Sequence, residues 1–219
     1  MEAVRDLYRE RFNAKELESK NRLWKILAAF FQRYIEPGGT VLDLGAGQCE
    51  FINHIRAGRK LAVDLNPDTA TFAAPGVEFH QCHCADLDFL AEGAVDAVFM
   101  SNFLEHLADK AEVLRVLKEC LRVLRPGGRM LVLMPNIRLA YREYWDFFDH
   151  HVALSDKSMV EGAKLAGFRP LEVIPAFLPY TTKSRLPQWG ILVRMYLRLP
   201  ILWKLFGKQA LVVAEKPRR

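Results

Sequence analysis

The stretch VLDLGAGQCEFI, Val41 to Ile52, restricts the possible folds of this chain more than any other. Apolar strand residues, broken by the single carboxylate of Asp43, run into Gly45 and Gly47, and a helical pattern follows. Where a strand meets Gly-x-Gly and then a helix, the missing side chains let a ligand approach the backbone. The helix start adds unpaired amides. A nucleotide-like ligand at the carboxyl end of a strand is the reading this arrangement supports.

The rest of the chain repeats the alternation that such a turn belongs to. TVLDLG, KLAVDL, VEFHQ, VDAVFM and RMLVLM read as strands, separated by helical segments near Gln48 to Ala57, Pro67 to Ala73 and Asp109 to Leu124. That is the βαβ rhythm of a parallel sheet. Asp109 is placed to cap the helix carrying Val113, Leu114, Leu117 and Leu121, and Pro126-Gly127-Gly128 stops it. A further helix, Ser155 to Ala166, ends at Gly167, and LEVIPAF and QALVVAE supply two last strands. Ahead of the first strand, Leu17, Trp24, Leu27, Phe31 and Tyr34 recur at helical spacing, so Ala14 to Ile35 reads as an amphipathic lid or packing helix. With 219 residues the expectation is one domain, 37–219, preceded by a helical lid at 1–36.

Two acids sort the possible ligands. A dinucleotide fingerprint would place a glycine three residues beyond Gly47, where Glu50 stands. Asp43, two residues before the first glycine, repels a pyrophosphate and attracts an ammonium or sulfonium. Asp64 closes the second strand 19 residues after Gly45, where a carboxylate can accept both hydroxyls of a ribose.

The D-x-G-x-G of Asp43, Gly45 and Gly47, with Asp64 following, resembles the class I S-adenosylmethionine-dependent methyltransferases over roughly Thr40 to Asn136. Three further segments fit in register: HCADLDF after the third strand, SNFLEHL after the fourth, and the L-R-P-G-G turn from Leu124 to Gly128. The resemblance implies a Rossmann-like, seven-stranded, mostly parallel α/β sheet with helices on both faces and the last strand antiparallel. It implies S-adenosyl-L-methionine as cofactor, with S-adenosyl-L-homocysteine as product. The cofactor residues it implies are Asp43, Gly45, Ala46, Gly47, Asp64, Leu65, Asp86, Leu87, Ser101 and Asn102, with Asp86 on the adenine amino group. The family often has a third glycine where this chain has Cys49, whose Cβ is expected to crowd the methionine end.

Methyl transfer from a sulfonium needs alignment and exclusion of water, while a hydroxyl acceptor also needs a base. The segment NIRLAYREYWDFFDHHVALSD, within an acceptor-site lid at 137–154, gathers Tyr141, Tyr144, Trp145 and Phe148 as substrate-binding candidates. His150 and His151 are the candidate bases. In related small-molecule methyltransferases, including those acting on polyprenyl quinones, a histidine precedes the next helix at the spacing that separates His150 from Ser155. Glu105 and His106 read as structural. The implied acceptor is a glycosyl, lipid-linked or aromatic small molecule methylated on oxygen, and the FLPYTTKSRLPQ region resembles methyltransferase-like proteins of polysaccharide or secondary-metabolite pathways. Methylation of RNA or protein is the alternative, disfavoured because no Asn-Pro-Pro-Tyr-like run follows the fourth strand. An NAD-dependent oxidoreductase is disfavoured by Asp43 and Glu50.

Charge adds one more expectation. From Pro179 onward there are nine Lys or Arg and one acid, against 22 basic and 25 acidic residues before it. Within this insertion, 179–208, Arg194 and Arg198 are four apart, as are Lys204 and Lys208, among Ile, Leu, Trp and Phe. Two short basic amphipathic helices result, fit for peripheral membrane contact through 189–208, a lid or a dimer face, with no nucleic acid as partner. The opening MEAVRDLYRERF has no apolar signal-peptide stretch, so the expected location is cytoplasmic, including the inner membrane face. Cys49, Cys82, Cys84 and Cys120 form no C-x-x-C pair and are expected as reduced thiols, and His80, Cys82, His83 and Cys84 are expected to pack and not to bind metal.

Overall fold

The computed structural model describes residues 14–180 and 190–218, with side chains from residue 19 onward. Seven strands form one sheet: β1 (Thr40–Leu44), β2 (Arg59–Asp64), β3 (Val77–Gln81), β4 (Val95–Ser101), β5 (Leu124–Pro135), β6 (Arg169–Leu178) and β7 (Gln209–Glu215). Their spatial order is β3-β2-β1-β4-β5-β7-β6. All neighbouring pairs from β3 to β5 are parallel, and β7 runs antiparallel to β5 and β6. This is the expected Rossmann-like α/β sheet. Among the described residues, seven α-helices surround it: α1 (Ala14–Phe31), α2 (Glu50–His54), α3 (Lys110–Val123), α4 (Ile137–Tyr144), α5 (Asp156–Ala166), α6 (Gly190–Arg198) and α7 (Pro200–Phe206).

The central strands are apolar almost throughout because both faces of a parallel sheet are covered. Alternation along each strand divides the core. Leu42, Leu44, Val98, Met100 and Val132 pack with Val116, Leu117 and Cys120 of α3 and Met159 and Ala163 of α5. Val41, Phe99, Leu131 and Leu133 pack on the other face with Trp24, Leu27 and Phe31 of α1, Phe51 of α2 and Leu197 of α6. The α1 helix therefore contributes to the same core, through its face at Trp24, Leu27, Ala28 and Phe31.

Local chemistry sets the helix starts. Asp109 Oδ1 accepts from the Glu112 amide at 2.8 Å while Glu112 Oε2 accepts from the Ala108 amide at 2.7 Å, a reciprocal cap worth about 1 kcal/mol. Ser155 and Ser158 form a capping box at the start of α5. The segment expected as a helix from Pro67 to Ala73 is a short 3-10 turn, Pro67–Thr71, and the one from Gln48 to Ala57 is the five-residue α2. The expected stop at Pro126-Gly127-Gly128 is absorbed into β5, which begins at Leu124, directly after α3.

Among the described residues, no helix is long and apolar enough to cross a membrane.

Candidate active site

Because β1, β2, β4 and β5 are parallel, their carboxyl ends share one edge of the sheet, where ligands bind in open α/β folds. Gly45 has φ +67° and Gly47 φ +51°, conformations that side chains disfavour. Gly45 is doubly constrained, since a Cβ there would stand 2.5 Å from the ring of Phe103. Sequence reasoning missed that contact, because Phe103 is one apolar residue among several within SNFLEHL. Cys49 also has a left-handed φ of 57°, and its side chain is wholly buried, with Sγ 3.7 Å from the Thr69 carbonyl. The thiol is thus directed into the core, and burial pushes its pKa up to about 12.

Beneath the turn, Asp43 is buried, and the Ile52 amide in the first turn of α2 bonds to its carboxyl. Burial holds the Asp43 pKa well above the usual carboxylate range, with further upward pressure from the charges of Glu50 and Asp64. Asp64 Oδ2 accepts from the Gly47 amide at 2.8 Å and Oδ1 from the Asn66 amide at 2.8 Å. Each oxygen keeps a second acceptor site, so the carboxylate can hold the turn and still take ribose hydroxyls. Leu65 beside it is exposed, and Ala46 is buried. Lys20 of α1 reaches over the turn to Gln48 Oε1 at 3.3 Å and ion-pairs with Glu50, so α1 also overhangs the site.

The remaining cofactor candidates divide by accessibility. Asp86 is largely open, with Arg115 at 3.8 Å. Leu87 is fully buried, and its amide is donated to Glu119 Oε1 at 3.1 Å. Ser101 ends β4 and Asn102 follows it with φ +47°, its Nδ2 donating to Ser101 Oγ at 3.3 Å. In HQCHC the side chains diverge: His80 stacks on Phe89, His83 pairs with Glu112 at 2.8 Å, and Cys84 is buried.

The acceptor side is built from α4 and the loop after it. Asn136 caps α4 by accepting from the Arg138 amide and donates to Asp156 Oδ1 at 2.9 Å and the Pro175 carbonyl at 3.0 Å, which fixes the segment to the sheet. Tyr144 is fully buried and donates its hydroxyl to the Val152 carbonyl. A narrow crevice, too tight to admit a water molecule, is lined by Glu105, Met134, Pro135, Tyr144, Val152 and Leu154. His150 is buried next to it, its Nδ1 2.9 Å from the Tyr144 carbonyl and its ring stacked on Phe147. His151 is exposed, and its amide donates to the Glu105 carbonyl at 2.8 Å. Tyr141, Trp145 and Phe148 are likewise exposed, Phe148 at 97%. Amphipathic periodicity cannot separate such side chains from Tyr144, because the tight turn after α4 decides which of them face inward.

Glu105 and His106, read from sequence as structural, stand with His150. Ligand-capable atoms of the three lie within 4.8 Å of one another, the one such group among the described residues. His106 Nδ1 is 2.9 Å from the Asp149 carbonyl. Glu105 is 3% exposed, its Oε2 has no hydrogen-bond partner, and burial raises its pKa to about 8, with the charge of Asp149 adding to the shift. It is therefore a neutral acid at pH 7.

Residues 42–132 match the model of a methyltransferase domain family. A "Probable S-adenosylmethionine-dependent methyltransferase" of Mycolicibacterium smegmatis is 36% identical over 104 residues, 45% of this chain and 39% of that protein. Trans-aconitate 2-methyltransferase of Azoarcus sp. is 31% identical over 150 residues, 65% of this chain and 54% of that protein. The chain thus spans about two fifths to one half of the length of these curated relatives. The crystal structure of a methyltransferase from Archaeoglobus fulgidus superposes with a TM-score of 0.65 at 18% identity, covering 88% of this chain and 94% of that one. Residues 42–132 thus resemble a methyltransferase domain, and curated relatives of the chain are described as S-adenosylmethionine-dependent methyltransferases.

The residues at the glycine turn fit that cofactor. The acids Glu50 and Asp64, with the carboxyl of Asp43 buried beneath the turn, make a recess suited to a sulfonium or ammonium, and the backbone is bare where an adenosyl group would approach. Asp64→Ala is expected to weaken S-adenosylmethionine binding by about 10- to 100-fold, since hydrogen bonds to a charged group are worth roughly 1.5–3 kcal/mol. Isothermal titration calorimetry checks it, and unchanged affinity rejects the ribose role.

Proposed function

We propose that this protein transfers a methyl group from S-adenosylmethionine to a small-molecule acceptor, on the oxygen of a glycosyl, lipid-linked or aromatic compound. The observation that carries the reading is the buried Asp43 beneath the Gly45–Gly47 turn, on the same sheet edge as the crevice beside His150. When bound, the cofactor supplies an electrophilic methyl group. The chain contributes alignment and a place for the acceptor's proton.

His150 suits the base role because its buried ring is oriented through the Tyr144 carbonyl and Phe147. The exposure of His151 supports it less, and its substitution serves as a control. Asp64 would take the ribose hydroxyls and Asp86 the adenine amino group, while Tyr144 shapes the crevice wall. Trp145, Tyr141 and Phe148 reach the acceptor only if it lies across the exposed surface of α4.

His150→Ala is expected to lower turnover on an acceptor hydroxyl by about 100-fold near pH 7 and by less at alkaline pH, while His151→Ala stays near the native rate. A pH-rate profile of the three proteins checks this. A uniform loss across pH would count against the base, and binding of NAD in place of S-adenosylmethionine in a calorimetric titration would overturn the whole reading.

A further inference from the structure

We propose that the outer face of α6 and α7 docks on an anionic lipid bilayer. On α6, Ile191, Arg194, Met195 and Arg198 are all exposed, and their spacing places them on one helical stripe. On α7 the same pattern recurs in Ile201, Lys204 and Leu205. Ile191 is 70%, Ile201 60% and Leu205 67% exposed, so apolar side chains of this size stand in solvent among cations.

The opposite side of the pair is anchored. Leu197 is buried in the α1 face of the core, Tyr196 Oη donates to the Phe177 carbonyl at 2.7 Å, and Trp203 Nε1 donates to the Tyr196 carbonyl at 2.7 Å. The stripe is therefore the outward side of a fixed element. It needs no rearrangement to meet a partner.

Charge decides what that partner is. Residues 190–208 hold four cations and no acid, and Lys208 is drawn back to the domain by an ion pair with Glu143. The centres of protein interfaces are depleted of charged residues as a group, and nucleic acid has no use for projecting isoleucine and leucine. A headgroup layer with negative charge, over an acyl boundary, accepts both kinds of side chain at once. Two helices of nine and seven residues can lie in that layer but cannot span it.

The face is also joined to the acceptor side. The helix pair follows the carboxyl end of β6, which runs in the same direction as β5, and the Asn136 amide at the start of α4 donates to the Lys208 carbonyl at 2.9 Å. A docked molecule would hold the crevice edge close to the bilayer. This proposal stands independently of the methyl-transfer reading.

Co-sedimentation of the full chain with vesicles of phosphatidylcholine and phosphatidylglycerol, at about a 3:1 ratio, tests it against vesicles of phosphatidylcholine alone. The native protein is expected to pellet with the anionic vesicles only. Arg194→Glu, Arg198→Glu and Lys204→Glu together should reduce partitioning by about 100-fold or more, and Ile201→Asp with Leu205→Asp by at least about tenfold. Both variants alter exposed side chains and should keep native S-adenosylhomocysteine affinity, which separates failure of docking from failure of the cofactor reading. Equal pelleting with neutral vesicles overturns the proposal, as does native protein that stays in the supernatant. So does a dimer or a seated segment of the chain itself that both variants release without any effect on lipid.

Discussion

Asp43→Asn is expected to yield a more stable protein that no longer holds its cofactor well. The carboxyl is 4% exposed, and its burial, together with the nearby charges of Glu50 and Asp64, drives the pKa far up. Because the folded pKa lies above the unfolded value of 3.8, Asp43 stabilises nothing as an anion. Stability is lost as pH rises from the unfolded pKa towards the folded one. Asparagine removes that loss and keeps an oxygen for the Ile52 amide, so the variant should melt higher than the native protein at pH 7. The same change removes the negative charge that draws a sulfonium or ammonium, and affinity for S-adenosylmethionine should fall on the order of 100-fold. A proton signature accompanies it. Native Asp43 must ionise to favour a cation, so binding should release a proton and strengthen with rising pH, whereas the Asp43→Asn variant should bind weakly and with a flat pH profile. Calorimetry in two buffers of different ionisation heat, with thermal melts in parallel, reads both effects. A variant that binds normally and melts no higher would remove Asp43 from the donor site. This trade of stability for function is common where a site demands a buried charge.

Glu105→Gln should flatten much of the pH dependence of folding between about pH 5 and pH 8. The native carboxyl is buried, its pKa is raised from 4.5 to about 8, and Oε2 lacks a partner. Between those two values the unfolded chain has released the proton and the folded chain has kept it. Stability therefore falls as pH rises through that window. At about 1.4 kcal/mol per pH unit the accumulated loss by pH 8 is about 5 kcal/mol. Glutamine is neutral throughout, so urea unfolding between about pH 5 and pH 9 should be nearly flat for the variant and sloping for the native protein. Equal slopes would show that Glu105 does not titrate in this range. Since Glu105 also borders the crevice beside His150, the turnover of the variant at pH 7 reports whether the neutral acid alone suffices for catalysis.

Much of the architecture was legible because it is local. The alternation of TVLDLG, KLAVDL and VDAVFM with helical segments prescribes a parallel sheet, and Asp109 and Ser155 mark helix starts through bonds within three residues. The short connections were less legible. Pro67 to Ala73 and Gln48 to Ala57 carry helical composition, yet each forms only a five-residue turn of helix. The expectations for Trp189 and the FLPYTTKSRLPQ segment fall largely on residues 181–189, outside the described residues.

In the site, the same division holds. A strand entering Gly45 and Gly47, Asp43 before it and Asp64 at the end of the next strand can be read along the chain, because each position follows from strand length and turn chemistry. Sequence alone determined the fold class, the place of the glycine turn and the sign of charge around it. Only tertiary structure decided that Phe103 covers Gly45, that Glu105 and His106 meet His150, and that Tyr144 is buried while Trp145 beside it is exposed. The first two of these join residues far apart in the chain, and the third depends on how α4 packs. Their geometry follows from sheet register and helix packing, neither of which is encoded by any local pattern.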